Sequence, residues 1–244
     1  MSGRMNWYLI TNILAGLGCL LFLIGCLAFE KFTWKKISIK HIVITAMLIA
    51  INVLLTNLLS YNLPSFAGGA SVALGDWILF LLGAMFGPLV GFIGAVCADS
   101  LGSIVNVGGM YHAGFMFDKV MLAFMGAMVF VFKKNKWLIL KIVILYMIPL
   151  ALESFIFNSI WLYSMGWGNA VFVNMIVKLI KYPIVLIIYT TLVTTSLLAL
   201  NPLLVRWQTN TDVWCLKHGS IWEFKNKKSN MEKISQSIGE NSYE

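Results

Sequence analysis

Seven stretches of the chain, 8–29, 41–60, 72–86, 88–105, 113–132, 137–160 and 170–200, are dominated by apolar side chains and are long enough, or nearly so, to cross a bilayer. No other feature limits the fold as severely. In hydrocarbon no water meets a backbone N–H or C=O, so a spanning segment must be a helix or part of a closed barrel. Long apolar runs without two-residue alternation select the helix. Composition agrees: 11% of the residues are charged and 59% apolar, where soluble domains carry about a quarter charged residues. The third and fourth stretches are short and meet at "FGPL". Pro88 lacks an amide hydrogen and Gly87 bends freely, so a sharp turn between two helices is expected there.

The formal net charge of +8 falls in blocks between the apolar stretches, at Lys31 to Lys40, Lys133 to Lys141 and Arg206 to Lys233. Such blocks mark cytoplasmic flanks of membrane spans rather than a nucleic-acid footprint. Placing "KFTWKKISIK" inside brings "KKNKWLILK" and the tail inside as well, so the three blocks agree. The C-terminus is then cytoplasmic, and the N-terminus extracellular if the first helix is retained. The external connections are 61–71, 106–112 and 161–169, rich in Gly, Asn, Tyr and Trp and without lysine. The first stretch has a rival reading as a signal peptide, because "LIGC" resembles a lipoprotein cleavage site. Only Arg4 precedes it as a basic residue, and cleavage would leave 31–40 outside at birth, so retention is expected. The polar tail, 206–244, reads as a loose cytoplasmic extension. Cys19, Cys26, Cys97 and Cys215 lack metal-ligand spacing and read as small hydrophobes, so no metal is expected. No phosphate loop is present, and ATP hydrolysis is not expected of this chain.

Charges inside spans carry the functional signal. Asp76, Asp99, Asp118, Lys119, Glu153, Lys178 and Lys181 fall within the apolar stretches, where an ionic group costs several kcal/mol unless paired or wet. Lys178 and Lys181 either snorkel outward or face a cavity. Asp118 either favours its helix start or pairs across the bundle with Lys178 or Lys181. Asp99 suits a hydrogen bond inside the bundle, and Glu153 an ion pair or a ligand contact. His112 has no nucleophile or ligand set around it and reads as a structural or ligand-contacting residue. Tyr111, Phe115, Trp161, Tyr163 and Trp167 stand at the same outer level. Beside Asn106, Asn158 and Lys178 these aromatics suit a flat, polar, negatively charged ring compound. Small residues form packing rows: Ala46 and Ala50; Gly83, Gly87 and Gly91; Gly94, Ala98 and Gly102.

Three passages, "ITAMLIAINVLL", "LLGAMFGPLVGFIGAVCADSLGSIVN" and "GGMYHAGFMFDK", resemble the substrate-binding S component of energy-coupling-factor transporters. The resemblance covers roughly residues 38–200. It implies an all-α integral membrane protein with a six-helix core, here 38–205, preceded by one additional transmembrane helix within 1–37 and followed by the tail 206–244. It implies a non-catalytic subunit that captures a vitamin from outside and topples to carry it inward. The partners implied are a transmembrane coupling subunit and two cytosolic ATPases, with Ala46 and Ala50 of "AMLIA" at the coupling interface. "GGMYHAGF", "NSIWLYSMGWG" and "VKLIKYPIVLIIY" are similar to the folate-specific branch. That likeness makes Tyr111, Asn158, Trp161 and Lys178 pocket residues. By position and residue type Asn106 and His112 are expected to join them, with Asp99, Asp118, Glu153 and Lys181 as structural or pocket charges. The chain departs from the branch in carrying lysine where arginine is usual, a point charge in place of a bidentate fork, and in "SVALGDW". The expected cargo is folate or a reduced folate, with riboflavin or another vitamin as the alternative and no cofactor in the chain itself. Two other classes remain: an ion-coupled secondary transporter using Asp99, Asp118 and Glu153, and a membrane enzyme built on His112 and Asp118.

Overall fold

A computed structural model describes residues 2–30, 39–59, 74–105, 110–131, 137–168, 175–207 and 213–216, and the regular structure among them is entirely helical. Helix α1 spans Ser2–Phe29 and α2 spans Ile39–Leu54, the latter ending in a widened turn at Leu55–Leu59. Helices α3, Asp76–Phe86, and α4, Pro88–Val105, flank the expected corner. Helix α5 is Ala113–Met128, α6 runs Leu138–Trp167 and α7 is Met175–Trp207. Among the described residues five helices are long and apolar enough to cross a membrane, and α3 is a shorter apolar helix. The chain is a multi-pass membrane protein.

Helix α3 forms the centre. Every residue from Ile78 to Phe86 is buried, so this helix is hydrophobic all round because neighbours surround it. It lies against α2, α4, α5 and α7. Where lipid removes most hydrophobic force between helices, backbone approach supplies the packing energy. A Cβ placed on Gly83 would lie 1.9 Å from the Ala123 carbonyl oxygen, and one on Gly126 would lie 2.1 Å from that of Phe80. Helices α3 and α5 therefore touch backbone to backbone through reciprocal glycines. Gly87 closes α3 with φ 95° and its N–H returns to the Gly83 carbonyl at 2.9 Å. Only glycine adopts that geometry without strain, and it turns the chain directly into α4.

At this corner, called here the lower end of the bundle, Trp214 is buried and its indole N–H donates to the Ala127 carbonyl at 3.0 Å. Val213, Cys215 and Leu216 are buried beside it. The opposite, upper end holds the N-termini of α1, α3 and α5 and the C-termini of α2, α4 and α6. Large apolar side chains such as Leu9, Ile13, Leu17 and Leu20 on α1 and Ile180, Ile184 and Ile187 on α7 stand outward, as a lipid-facing surface requires. Ala46 and Ala50 are exposed on α2 among Ile42, Val43 and Met47.

The upper end of α6 differs from expectation. Helix α6 continues past residue 160 to Trp167, so Trp161 and Tyr163 stand on a helix rather than in an external connection. The reason is local: no Gly or Pro occurs from Glu153 to Met165, and Gly166, at φ 97°, is the first residue that leaves helical geometry. The extension is wound partly as widened turns, at Leu152–Phe157 and Tyr163–Trp167, a form common at functional sites.

Candidate functional site

The upper half of the bundle is where the polar groups converge. Lys119 Nζ of α5 lies 3.0 Å from Asp99 Oδ1 of α4, an ion pair that neutralises both groups inside a span. Asp118, on the preceding position, pairs with no lysine among the described residues; its Oδ2 accepts the indole N–H of Trp161 at 3.0 Å. Lys178 on α7 reaches Ser159 Oγ on α6 at 3.4 Å. Lys119 and Lys181 both act electrostatically on Asp76 and on Glu153, and Lys178 acts on Glu153 as well. Five helices, α3 to α7, thus place acids and bases around one region, and mutual attraction is what makes their burial tolerable.

Several buried polar atoms in this region have no hydrogen-bond partner among the described residues: Asn57 Nδ2, Asp99 Oδ2, Asp118 Oδ1 and Asn158 Oδ1. Each such atom costs roughly 1–3 kcal/mol of desolvation, so a cluster of them marks a place built for further polar contacts. They come from the upper halves of α2, α4, α5 and α6. Gly102 lies beside this cluster, where a Cβ would stand at ordinary contact distance, 3.4 Å from Asn57 Nδ2 and 3.9 Å from Lys119 Nζ. Such a set of donors, acceptors and a half-buried ammonium group suits a polar ligand carrying both hydrogen-bonding edges and negative charge.

Aromatic side chains form one wall. Trp161 is buried; His112 lies against its ring with centroids 5.1 Å apart at 32°, and Phe157 is parallel to it at 5.9 Å. Gly114 makes this approach possible, because a Cβ there would fall 2.3 Å from Trp161 Cδ2. His112 is fully buried and caps α5: its Nδ1 accepts the Gly114 N–H at 2.9 Å. Its Nε2 lies 3.0 Å from Thr11 Oγ1 and 3.1 Å from Ser164 Oγ. Both hydroxyls donate to backbone carbonyls, Thr11 to Trp7 and Tyr8 and Ser164 to Trp161, so the network assigns the proton of a neutral imidazole to Nε2. Burial holds His112 below the ordinary imidazole range. Tyr111 is 46% exposed, with its hydroxyl toward Met116 Sδ.

The structure therefore brings His112, Trp161 and Asp118 into one contact chain, Lys178 beside Ser159, and Asn158 into the half-buried layer of α6. Asn106 lies outside the described residues. Sequence reasoning passed over Thr11, Asn12 and Ser164, although Thr11 and Asn12 interrupt an apolar helix and carried a readable signal. Among the described residues no cluster of His, Cys, Asp and Glu is arranged to hold a metal ion.

No protein-family model matches the chain. The Folate transporter FolT of Clostridium novyi (strain NT) is 31% identical over 149 residues, which cover 60% of this chain and 80% of that protein. A crystal structure of FolT bound with folic acid superposes with a TM-score of 0.54 at 21% identity, covering 65% of this chain and 95% of the FolT chain, a likeness of fold. The helical fold is thus shared with that structure. The chain belongs to the FolT family, the folate branch of the energy-coupling-factor S components.

Proposed function

We propose that the chain is the substrate-binding S component of an ATP-driven vitamin importer and that its cargo is folate or a reduced folate. The observation that carries this is the 31% identity to a folate transporter across 80% of that relative. The upper half of the bundle fits the cargo chemically. A pterin is a flat ring with donor and acceptor edges, and the buried oxygens of Asp118 and Asn158 are suited to receive its N–H groups. The glutamate part is anionic, and Lys178, placed at the upper end of α7 and steadied by Ser159, supplies a positive charge. Tyr111 offers an aromatic face, with His112 and Trp161 as the wall behind it. Asn106 completes the proposed contacts. Asp99, Glu153 and Lys181 balance charge around the pocket.

Binding is non-covalent, and the chain performs no bond-breaking step. Translocation belongs to the assembled complex: a transmembrane coupling subunit and two cytosolic ATPases drive reorientation of this chain. Ala46 and Ala50, exposed side by side on α2, suit close contact with the coupling subunit, since small residues let helix backbones approach. The basic blocks orient the lower end and the C-terminus to the cytoplasm, so the upper end opens outward. Helix α1 precedes the six-helix core 38–205 as an added span within 1–37, its N-terminus extracellular, and 206–244 form the cytoplasmic tail.

Purification without added substrate, followed by mass spectrometry of the retained small molecule, tests this reading. A folate or reduced folate is expected; riboflavin or another vitamin would replace the cargo while leaving the class intact.

A further inference from the structure

Helix α1 is fastened to the bundle at both ends by polar side chains that meet backbone groups. At the upper end, Asn12 Oδ1 accepts the N–H of Ala113, the first residue of α5, at 2.9 Å, and Asn12 Nδ2 donates to its own helix at the Tyr8 carbonyl. The Tyr8 hydroxyl donates to the Tyr111 carbonyl, and its ring stands edge-on to His112 at 5.5 Å. Thr11 Oγ1 meets His112 Nε2. At the lower end, Glu30 Oε1 accepts the N–H of Leu89, in the first turn of α4, at 3.3 Å. Between these points α1 lies close along α5. A Cβ on Gly18 would fall 2.5 Å from the Phe117 ring, and Phe22 packs on Phe117 and Phe124 with centroids 5.5 and 5.2 Å apart.

The first turn of a helix leaves amide hydrogens without intrahelical partners, and near hydrocarbon they must be met by a side chain. Here α1 meets them for two other helices, α4 and α5. Residues 111–113 are thereby tied to α1, and through His112 the tie reaches Ser164 and the Trp161 ring, whose indole holds Asp118.

We propose that α1 is a clasp for the binding site: Tyr8, Thr11 and Asn12 are positioning residues that fix the Tyr111–Ala113 connection, and with it the His112–Trp161–Asp118 wall, so that bound substrate is retained. The substrate named in this role rests on the folate-binding reading above. Thr11 and Asn12 touch no substrate; they act through His112 and the first amide of α5.

The test uses the full chain carrying Thr11→Val together with Asn12→Leu. Two readouts are taken: amide hydrogen exchange of residues 111–115 without substrate, and the dissociation rate of folic acid followed by tryptophan fluorescence. Exchange in this segment is expected to accelerate, and folic acid to leave about tenfold faster, as loss of two ordinary hydrogen bonds implies. Asn12→Asp, which keeps the acceptor, and Thr11→Ser, which keeps the hydroxyl, restore both. If the double variant does not fold, Thr11→Val alone carries the comparison. Unchanged exchange overturns the clasp, and so does faster exchange with unchanged dissociation. If the unsubstituted chain binds no folic acid, the cargo reading falls, and exchange alone decides: acceleration upholds the clasp and no change overturns it.

Discussion

Lys178 and His112 both contact α6, at Ser159 and at Ser164, yet serve opposite electrostatic ends. Lys178 is half-buried, with a neutral hydroxyl at 3.4 Å and the charge of Glu153 acting on it, so its ammonium group remains available to an anion. Charge-assisted contacts are worth about 1.5–3 kcal/mol. Lys178→Ala is accordingly expected to weaken folic acid binding by about 10- to 100-fold with little change in melting temperature, as read by fluorescence titration. His112 is held neutral by burial, among Tyr8 of α1, Tyr111, and the Trp161 and Ser164 pair of α6, with Asp118 behind the indole. Burial holds its folded pKa below the ordinary imidazole value of 6.5. The unfolded chain therefore binds the extra proton first. Stability from this group is complete above pH 6.5 and is lost as pH falls from there through the lower folded value. A melting series from pH 7.5 to about pH 5 should show a decline that His112→Asn flattens; equal slopes would remove the neutral cap from the explanation.

At the scale of elements, contact between α3 and α5 is made by backbones. Gly83→Ala would drive a methyl group into the Ala123 carbonyl, 1.9 Å away, and neither helix backbone yields cheaply. Overpacking costs about 1–3 kcal/mol and more where nothing relaxes, so folded yield and melting temperature should both fall. Gly16→Ala is the control, because nothing lies within 4 Å of that position. Much of this architecture was legible in the sequence: apolar length gave the helices, Gly87–Pro88 gave the corner, and the Gly83–Gly91 row gave a packing face. The end of α6 was not, because aromatic and polar residues such as Trp161, Tyr163 and Ser164 resemble an interfacial loop in composition while containing no helix breaker. Docking of Trp214 was equally hidden, since a single tryptophan in a polar tail carries no periodicity. In the candidate site, charge inside apolar runs singled out Asp99, Asp118 and Lys178. Partner choice was not readable, because i to i+1 neighbours Asp118 and Lys119 point to different helices and find Trp161 and Asp99.

For the whole molecule, recognition and energy coupling are proposed to occupy different surfaces. Polar groups gather at the upper end, while Ala46 and Ala50 stand exposed on the flank of α2. Replacing both with Leu should leave folic acid binding by the isolated chain unchanged and reduce ATP-dependent uptake by the assembled complex about tenfold or more, the scale of an overpacked interface. Equal losses of binding and uptake would place these alanines in the fold rather than at a contact. The most direct measurement is equilibrium titration of the purified full chain with folic acid, monitored by tryptophan fluorescence. Saturable binding of one folic acid per chain, weakened by Lys178→Ala, is predicted. Absence of saturable binding, with the chain folded and its helices intact, would contradict a folate pocket in the upper half of this bundle.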